Sequence, residues 1–162
     1  MRVLGLDPGL AACGYGVIEL TGRKATAVQF GCWQTPSTSP LPNRLATLFL
    51  NVEKLIGEQL PDAVAIEESF VGKDARTALS VGQVRGALLV ACASVGVTPF
   101  EYPPASVKQA VCGYGRADKR QVQQMTKAIL ELETTPTPTH AADALAIALC
   151  HATAPSLLKL AS

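Results

Sequence analysis

Charge is sparse in this sequence, aromatic residues are sparser, and long hydrophobic runs are missing. Charged residues make up 17% of the chain and aromatics 5%, with a single tryptophan, against 48% hydrophobic residues. That balance excludes a disordered chain, which combines low hydrophobicity with high net charge. No apolar run approaches the roughly 20 residues of a membrane helix, so no membrane partner is expected. The N-terminus enters an apolar strand pattern at once and carries no signal-peptide pattern. The five cysteines, Cys13, Cys32, Cys92, Cys112 and Cys150, are odd in number and dispersed. No disulfide framework is expected from such a set. Reduced thiols in a cytoplasmic protein, mostly serving as small core residues, fit it better. Repeats and low-complexity tracts are absent as well.

What is present is enough for one folded domain. A length of 162 residues suits a single core, assigned here to residues 1–153, with 154–162 a C-terminal tail. Net charge is only +1, but its distribution is uneven. Residues 1–71 carry a balance of −2, residues 72–127 one of +5, and residues 128–162 again −2. The middle third is therefore a polyanion-facing candidate, and the two ends hold the carboxylates.

Periodicity orders the elements. Residues 3–7, 13–20 and 25–34 read as three strands joined by short turns, hence an antiparallel meander. Glycines in the second strand permit close backbone approach. Residues 35–42, rich in Pro, Ser and Thr, form a loop. Asn43 is placed to cap a helix that carries Leu45, Leu48, Phe49, Val52, Leu55 and Ile56 on one face to about residue 59. A short apolar strand follows at 63–67. A long helix over 75–95 has a face of small residues, among them Gly82 and Gly86. The last strand covers 97–102, and a short helix runs through Lys108 to Val111. Asp118 caps a helix to about residue 132, and an Ala-rich helix covers 140–152. The order predicts an α/β fold: a five-stranded mixed sheet flanked by helices on both faces.

Two apolar strands each end in an acid, Asp7 and Glu67. Asp7 is followed by Pro8 and Gly9, which break the strand at the sheet rim. If the two strands are parallel neighbours, both acids emerge at the edge where α/β folds place ligands. The last helix adds His140 and Asp143, whose i,i+3 spacing sets them on one face. Such charges cannot sit together bare: two at 4 Å repel by about 4 kcal/mol at an effective dielectric near 20. An oxygen-rich site of this kind selects Mg2+ or Mn2+. Two such ions, roughly 4 Å apart, would clamp a phosphate for hydrolysis. Asp7, Glu67, His140 and Asp143 are thus the candidate catalytic and metal-binding set. Phe70 beside them is a candidate wedge between bases. Lys108 and Lys119 suit backbone phosphates as point charges. With Lys73, Arg76, Arg116 and Arg120 they complete the candidate DNA-binding set.

The ordered series Leu4 to Gly9, Gly14 to Val17, Ala65 to Glu67, Gly82 to Gly86, Val107 to Gln109 and His140 to Ala148 resembles the RuvC family of bacterial Holliday-junction resolvases. The resemblance runs from Met1 to about Ala152. It implies a ribonuclease-H-like fold and a homodimer that binds four-way DNA junctions and nicks two opposing strands symmetrically, leaving 5′-phosphate and 3′-hydroxyl ends. By position, Asp7, Glu67 and Asp143 match family catalytic acids, Phe70 the aromatic wedge, and Lys108 and Lys119 basic residues near the scissile phosphate. The resemblance also implies a dimer contact through the long helix and a branch-migration motor as partner. Many members carry Asp where this chain has His140; here His140 is either a ligand or a general base.

Three other functions share parts of this pattern. An RNA-trimming ribonuclease-H-like nuclease would prefer RNA hairpins to junctions. A sugar kinase or actin-like ATPase needs a second phosphate loop and a larger adenosine-binding half, for which 162 residues leave no room. A junction-binding scaffold would bind without metal-dependent nicking. An imidazole is neutral above about pH 6.5 and favours manganese. Manganese is therefore expected to support cleavage at least as well as magnesium, with activity falling as His140 protonates. Junction cleavage by a His140→Asp variant checks this: its metal preference and acid profile should both shift, and unchanged values refute the assignment.

Overall fold

The computed structural model describes residues 1–68 and 74–154. Ten elements follow one another: β1 (Arg2–Asp7), β2 (Ala12–Thr21), β3 (Lys24–Gln34), α1 (Leu41–Gln59), β4 (Ala63–Glu67), α2 (Ala75–Ser94), β5 (Phe100–Tyr102), α3 (Pro104–Cys112), α4 (Lys119–Ile129) and α5 (Thr139–Thr153). The strands form one five-stranded sheet in the order β3-β2-β1-β4-β5. β1 and β2, and β2 and β3, are antiparallel, while β4 runs parallel to both β1 and β5. This is the mixed sheet that the element order predicts.

Alternation along β1 splits the core in two, because successive side chains point to opposite faces. Leu4 and Leu6 pack with Leu48, Val52, Leu55 and Ile56 of α1 and with Val84, Leu88 and Ala91 of α2. Val3 and Ala65 face the other way, against Leu145, Ala146, Ile147 and Ala148 of α5, with α3 and α4 alongside. Three of the five cysteines, Cys13, Cys92 and Cys150, are buried free thiols, as expected of small core residues.

α5 lies on the sheet at backbone contact. A Cβ added to Gly5 would stand 2.1 Å from the Ala144 carbonyl oxygen, and one on Gly14 would stand 2.0 Å from the His140 carbonyl oxygen. At Gly16 the nearest atom, Leu145 N, would be 2.8 Å away. Only glycine permits such approach. The helix fits because Ala141, Ala142, Ala144, Ala146 and Ala148 keep it slim, and all five are fully buried.

Three boundaries differ from the sequence reading. α1 starts at Leu41, capped by Pro40 without a side-chain hydrogen bond. Asn43 is therefore not the cap; it sits in the first turn, where its carbonyl accepts from the Thr47 hydroxyl at 2.9 Å. Proline's fixed φ and missing N–H suit that first turn, so the helix extends back through Pro42. β5 is confined to 100–102. Gly96 N and Val97 N bond back to Ala93 O and Cys92 O at the end of α2, and pairing begins only where Phe100 meets Ala65. α4 ends at Ile129 because Glu131 adopts a left-handed φ of 52°. α2 is also more apolar than expected. An 18-residue stretch of it has a mean hydropathy of 1.3, enough to cross a membrane by length and composition alone. Here Val84, Leu88, Ala91 and Cys92 bury one face in the core, while Leu79 and Val90 remain 65% and 60% exposed. Of the expected tail, Ala154 is described, and 155–162 lie outside the described residues.

Gly14→Ala is expected to destabilise the fold by about 1–3 kcal/mol, the usual cost of overpacking. Gly57→Ala, in α1 with nothing within 4 Å of the added carbon, is expected to stabilise by about 0.5–1 kcal/mol. Urea denaturation of both variants checks the contrast.

Candidate metal centre

Register places the acids. Leu6 pairs with Ile66 across the parallel β1–β4 ladder, so Asp7 and Glu67 leave the two strands side by side. Each lies two residues beyond a position that faces α5, Gly5 in β1 and Ala65 in β4. The period-two alternation therefore turns both carboxylates toward α5. On the other side of β1, Asp7 pairs with Gly14, the residue that admits the His140 backbone. α5 then delivers His140 and Asp143 from its first turns.

His140 Nδ1 and Asp7 Oδ2 are 2.7 Å apart. A carboxylate only accepts, so the imidazole Nδ1 donates. Lys119 Nζ donates to Asp143 Oδ2 at 2.7 Å. One ligand atom each from Asp7, His140 and Asp143 lies within 4.8 Å of the others. Glu67 stands outside that trio but lines the same cavity, of about 270 Å³, as Asp7, Asp143, Lys108 and Lys119. Among the described residues its carboxylate accepts no side-chain hydrogen bond. Burial, reinforced by Asp7 and Asp143, pushes Glu67 up to about 7. Burial also raises Asp143, against the opposing hydrogen bond from Lys119. The hydrogen bond to Asp7 raises His140, with the charges of Asp7 and Asp143 adding to it against desolvation. The imidazole therefore keeps its proton to a higher pH than the ordinary value used above.

The donor set fits a divalent cation. Asp7, His140 and Asp143 converge with Glu67 on the wall beside them, and oxygen donors with a single nitrogen suit a hard divalent ion. Glu67 forms no ion pair among the described residues, and the nearby charges of Lys108 and Lys119 offset its burial only in part.

The other expected residues fall in three places. Lys108 and Lys119 line the acid cavity. Arg76 lines a neighbouring cavity of about 440 Å³ together with Pro8, Gly9, Arg44, Ser80 and His140. Arg116 and Arg120 are exposed and line neither. Phe70 and Lys73 lie outside the described residues. Arg44 lines that neighbouring cavity and belongs to none of the sequence motifs. Its Nε donates to Thr35 Oγ1 at 2.9 Å, and its Nη2 to Leu10 O at 3.2 Å and Thr35 O at 3.3 Å. The Thr35 hydroxyl also bonds Leu10 O. Arg44 thereby ties down the loop that follows Asp7. The signal that could have found it is its isolation: residues 25–43 before it carry no charge.

Comparison with known proteins gives one answer. The family profile described as crossover junction endodeoxyribonuclease RuvC matches residues 3–151. The protein of that name from Desulfitobacterium hafniense is 51% identical over 159 residues, covering 98% of this chain and 96% of that one. The solved Thermus thermophilus RuvC structure superposes with a TM-score of 0.87 at 39% identity, covering 94% of this chain and 93% of that one. The same protein solved in complex with Holliday junction substrate gives a TM-score of 0.88 at the same identity and coverage. With its profile match over nearly the whole length and relatives at half identity, this chain belongs to the RuvC family of crossover junction endodeoxyribonucleases.

Proposed function

We propose that Asp7, Glu67, His140 and Asp143 form the centre at which this endodeoxyribonuclease hydrolyses DNA at four-way junctions. The observation that carries this reading is the meeting of two strand-end carboxylates with a histidine–aspartate pair from α5. Asp7, His140 and Asp143 would hold one divalent ion, and Glu67 from the adjacent strand would complete a second site. Bound there, divalent ions supply neutralising charge at the phosphate and a water that ionises near neutral pH. The chain supplies the rest. Lys108 and Lys119 set two ammonium groups on the wall of the acid cavity and draw a backbone phosphate into it. Arg76 and Arg44 line the neighbouring cavity, so a strand crossing the centre meets cations on both sides. His140 either releases the Nδ1 proton that it shares with Asp7 and serves as a ligand, or keeps that bond and takes a proton from water through its other ring nitrogen as general base.

Each junction is resolved by paired, symmetric nicks leaving 5′-phosphate and 3′-hydroxyl ends, which requires two copies of the centre. A homodimer meets that need. The exposed face of α2 supports it: Leu79, Gly82, Gly86 and Val90 follow helical spacing, with open space at both glycines. The chain works in the cytoplasm beside a branch-migration motor, a setting compatible with its free thiols.

Cleavage of a synthetic four-way junction, compared with duplex DNA and RNA hairpins, tests the function. Asp7→Asn, Glu67→Gln and Asp143→Asn are each expected to lower nicking by at least about 100-fold while junction binding persists. Loss of binding together with nicking would instead point to misfolding. Glu67 gives a further signature in ion-free protein. Its folded value, about 7, lies above the ordinary 4.5. Between those values the folded state holds a proton that the unfolded state has lost, so stability declines as pH rises through the window. Glu67→Gln should remove that decline and stabilise the ion-free protein above pH 7 by at most about 3 kcal/mol. Thermal melts with chelator at pH 5 and pH 8 measure it. Leu79→Glu is expected to shift the protein to monomer in analytical ultracentrifugation and to abolish paired nicking.

A further inference from the structure

The centre already contains a cation of its own. The Lys119 ammonium is paired with Asp143 at 2.7 Å, on the carboxylate that clusters with Asp7 and His140. Two features set this lysine apart. It opens α4 beside Arg120, and that first turn holds no acid. The positive end of a helix dipole disfavours cations, so helix stability does not account for a lysine there. The Asp118–Gln121 capping box keeps the helix start intact in spite of it. The Lys119 side chain is also 55% exposed, against 26% for Asp143. An ammonium on a flexible four-carbon stem can leave that carboxylate without unpacking anything. Lys108 provides the contrast: it lines the same cavity and acts on Glu67 through space, but forms no ion pair among the described residues.

Resting on the reading of Asp143 as a metal ligand, we propose that Lys119 is a competing cation. Its ammonium occupies Asp143 in the ion-free protein and must leave before a divalent ion takes that carboxylate. The freed ammonium then turns to the substrate phosphate. Ion entry and phosphate entry consequently favour each other. A polyanion draws Lys119 away from Asp143 and raises ion affinity, and by linkage the ion raises affinity for the phosphate by the same factor. The centre is thereby biased to load its ions where DNA is present.

The test is Mn2+ alone, titrated into the full-length, DNA-free chain and followed by the electron paramagnetic resonance of free ion. Four proteins are compared: wild type, Lys119→Met, Lys108→Met and Asp143→Asn. Wild type should bind Mn2+, and Asp143→Asn should lose that binding. Lys119→Met should bind about fivefold tighter, the gain from removing one partly exposed ion pair. Lys108→Met makes the same charge change without the contact and should stay within about twofold of wild type. Equal tightening in both lysine variants, or no tightening in Lys119→Met, overturns the proposal. Wild type without bound Mn2+, or Asp143→Asn binding like wild type, overturns the ligand reading itself and the proposal with it.

Discussion

The close seating of α5 on the sheet is the constraint from which the rest follows. Gly5, Gly14 and Gly16 remove the side chains that would hold a helix at ordinary distance, and the alanines of α5 remove them from the other partner. A helix in backbone contact has almost no freedom to slide or roll, because interiors are packed at crystal-like density. His140 and Asp143 therefore inherit their positions from backbone contact rather than from a loop. Asp7 and Glu67 inherit theirs from the β1–β4 register. All four candidate groups stand on regular elements, which hold a site more precisely than loops do.

Electrostatics works against this arrangement. Asp7 finds His140 and Asp143 finds Lys119, each at 2.7 Å. Glu67 has no equivalent partner, and burial lifts it to about 7. A fold selected for stability alone would place Gln or an apolar residue there. A carboxylate held in place against its own burial is a candidate for chemistry at the site. Lys119 offsets part of the burial of Asp143, whereas Glu67 meets its own with no ion pair among the described residues.

Much of this was legible before any coordinates. The fold class, the five strands and the meander follow from apolar periodicity and turn residues, whereas the parallel pairing of β4 with β1 stood only as a condition, which the sheet order meets. The candidate acids were also legible, because an acid at the end of an apolar strand interrupts a pattern that is otherwise simple. Other features were not. The cap of α1 was misassigned because proline's compatibility with a first turn competes with asparagine's side-chain capping, and at residues 40–43 the two rules give different starts. β5 was drawn too long because a strand's length depends on its partner, and β4 is short. Arg44 escaped notice because its partners are the Leu10 and Thr35 carbonyls and the Thr35 hydroxyl, which carry no sequence signature. The internal pairing of Lys119 with Asp143 joins residues 24 positions apart on different helices, beyond any local pattern.

The sheet order also explains why the acids gather on one side only. Asp7 has two neighbours across the ladders, Gly14 in antiparallel β2 and the end of parallel β4. Parallel pairing brings equivalent strand ends together, so a second carboxylate can emerge beside the first. Antiparallel pairing brings the start of β2 against the end of β1, and the residue found there is glycine. The absence of a side chain at position 14 lets the His140 backbone come in over the sheet, and with it the imidazole that reaches Asp7. A side chain at 14 would lift the start of α5 and break the Asp7–His140 contact, even with every acid still in place. An all-parallel sheet would lack this opening, and an all-antiparallel one would lack the paired acids. The mixed topology is thus a requirement of the site, and the glycine opposite Asp7 is as much a part of it as the carboxylates.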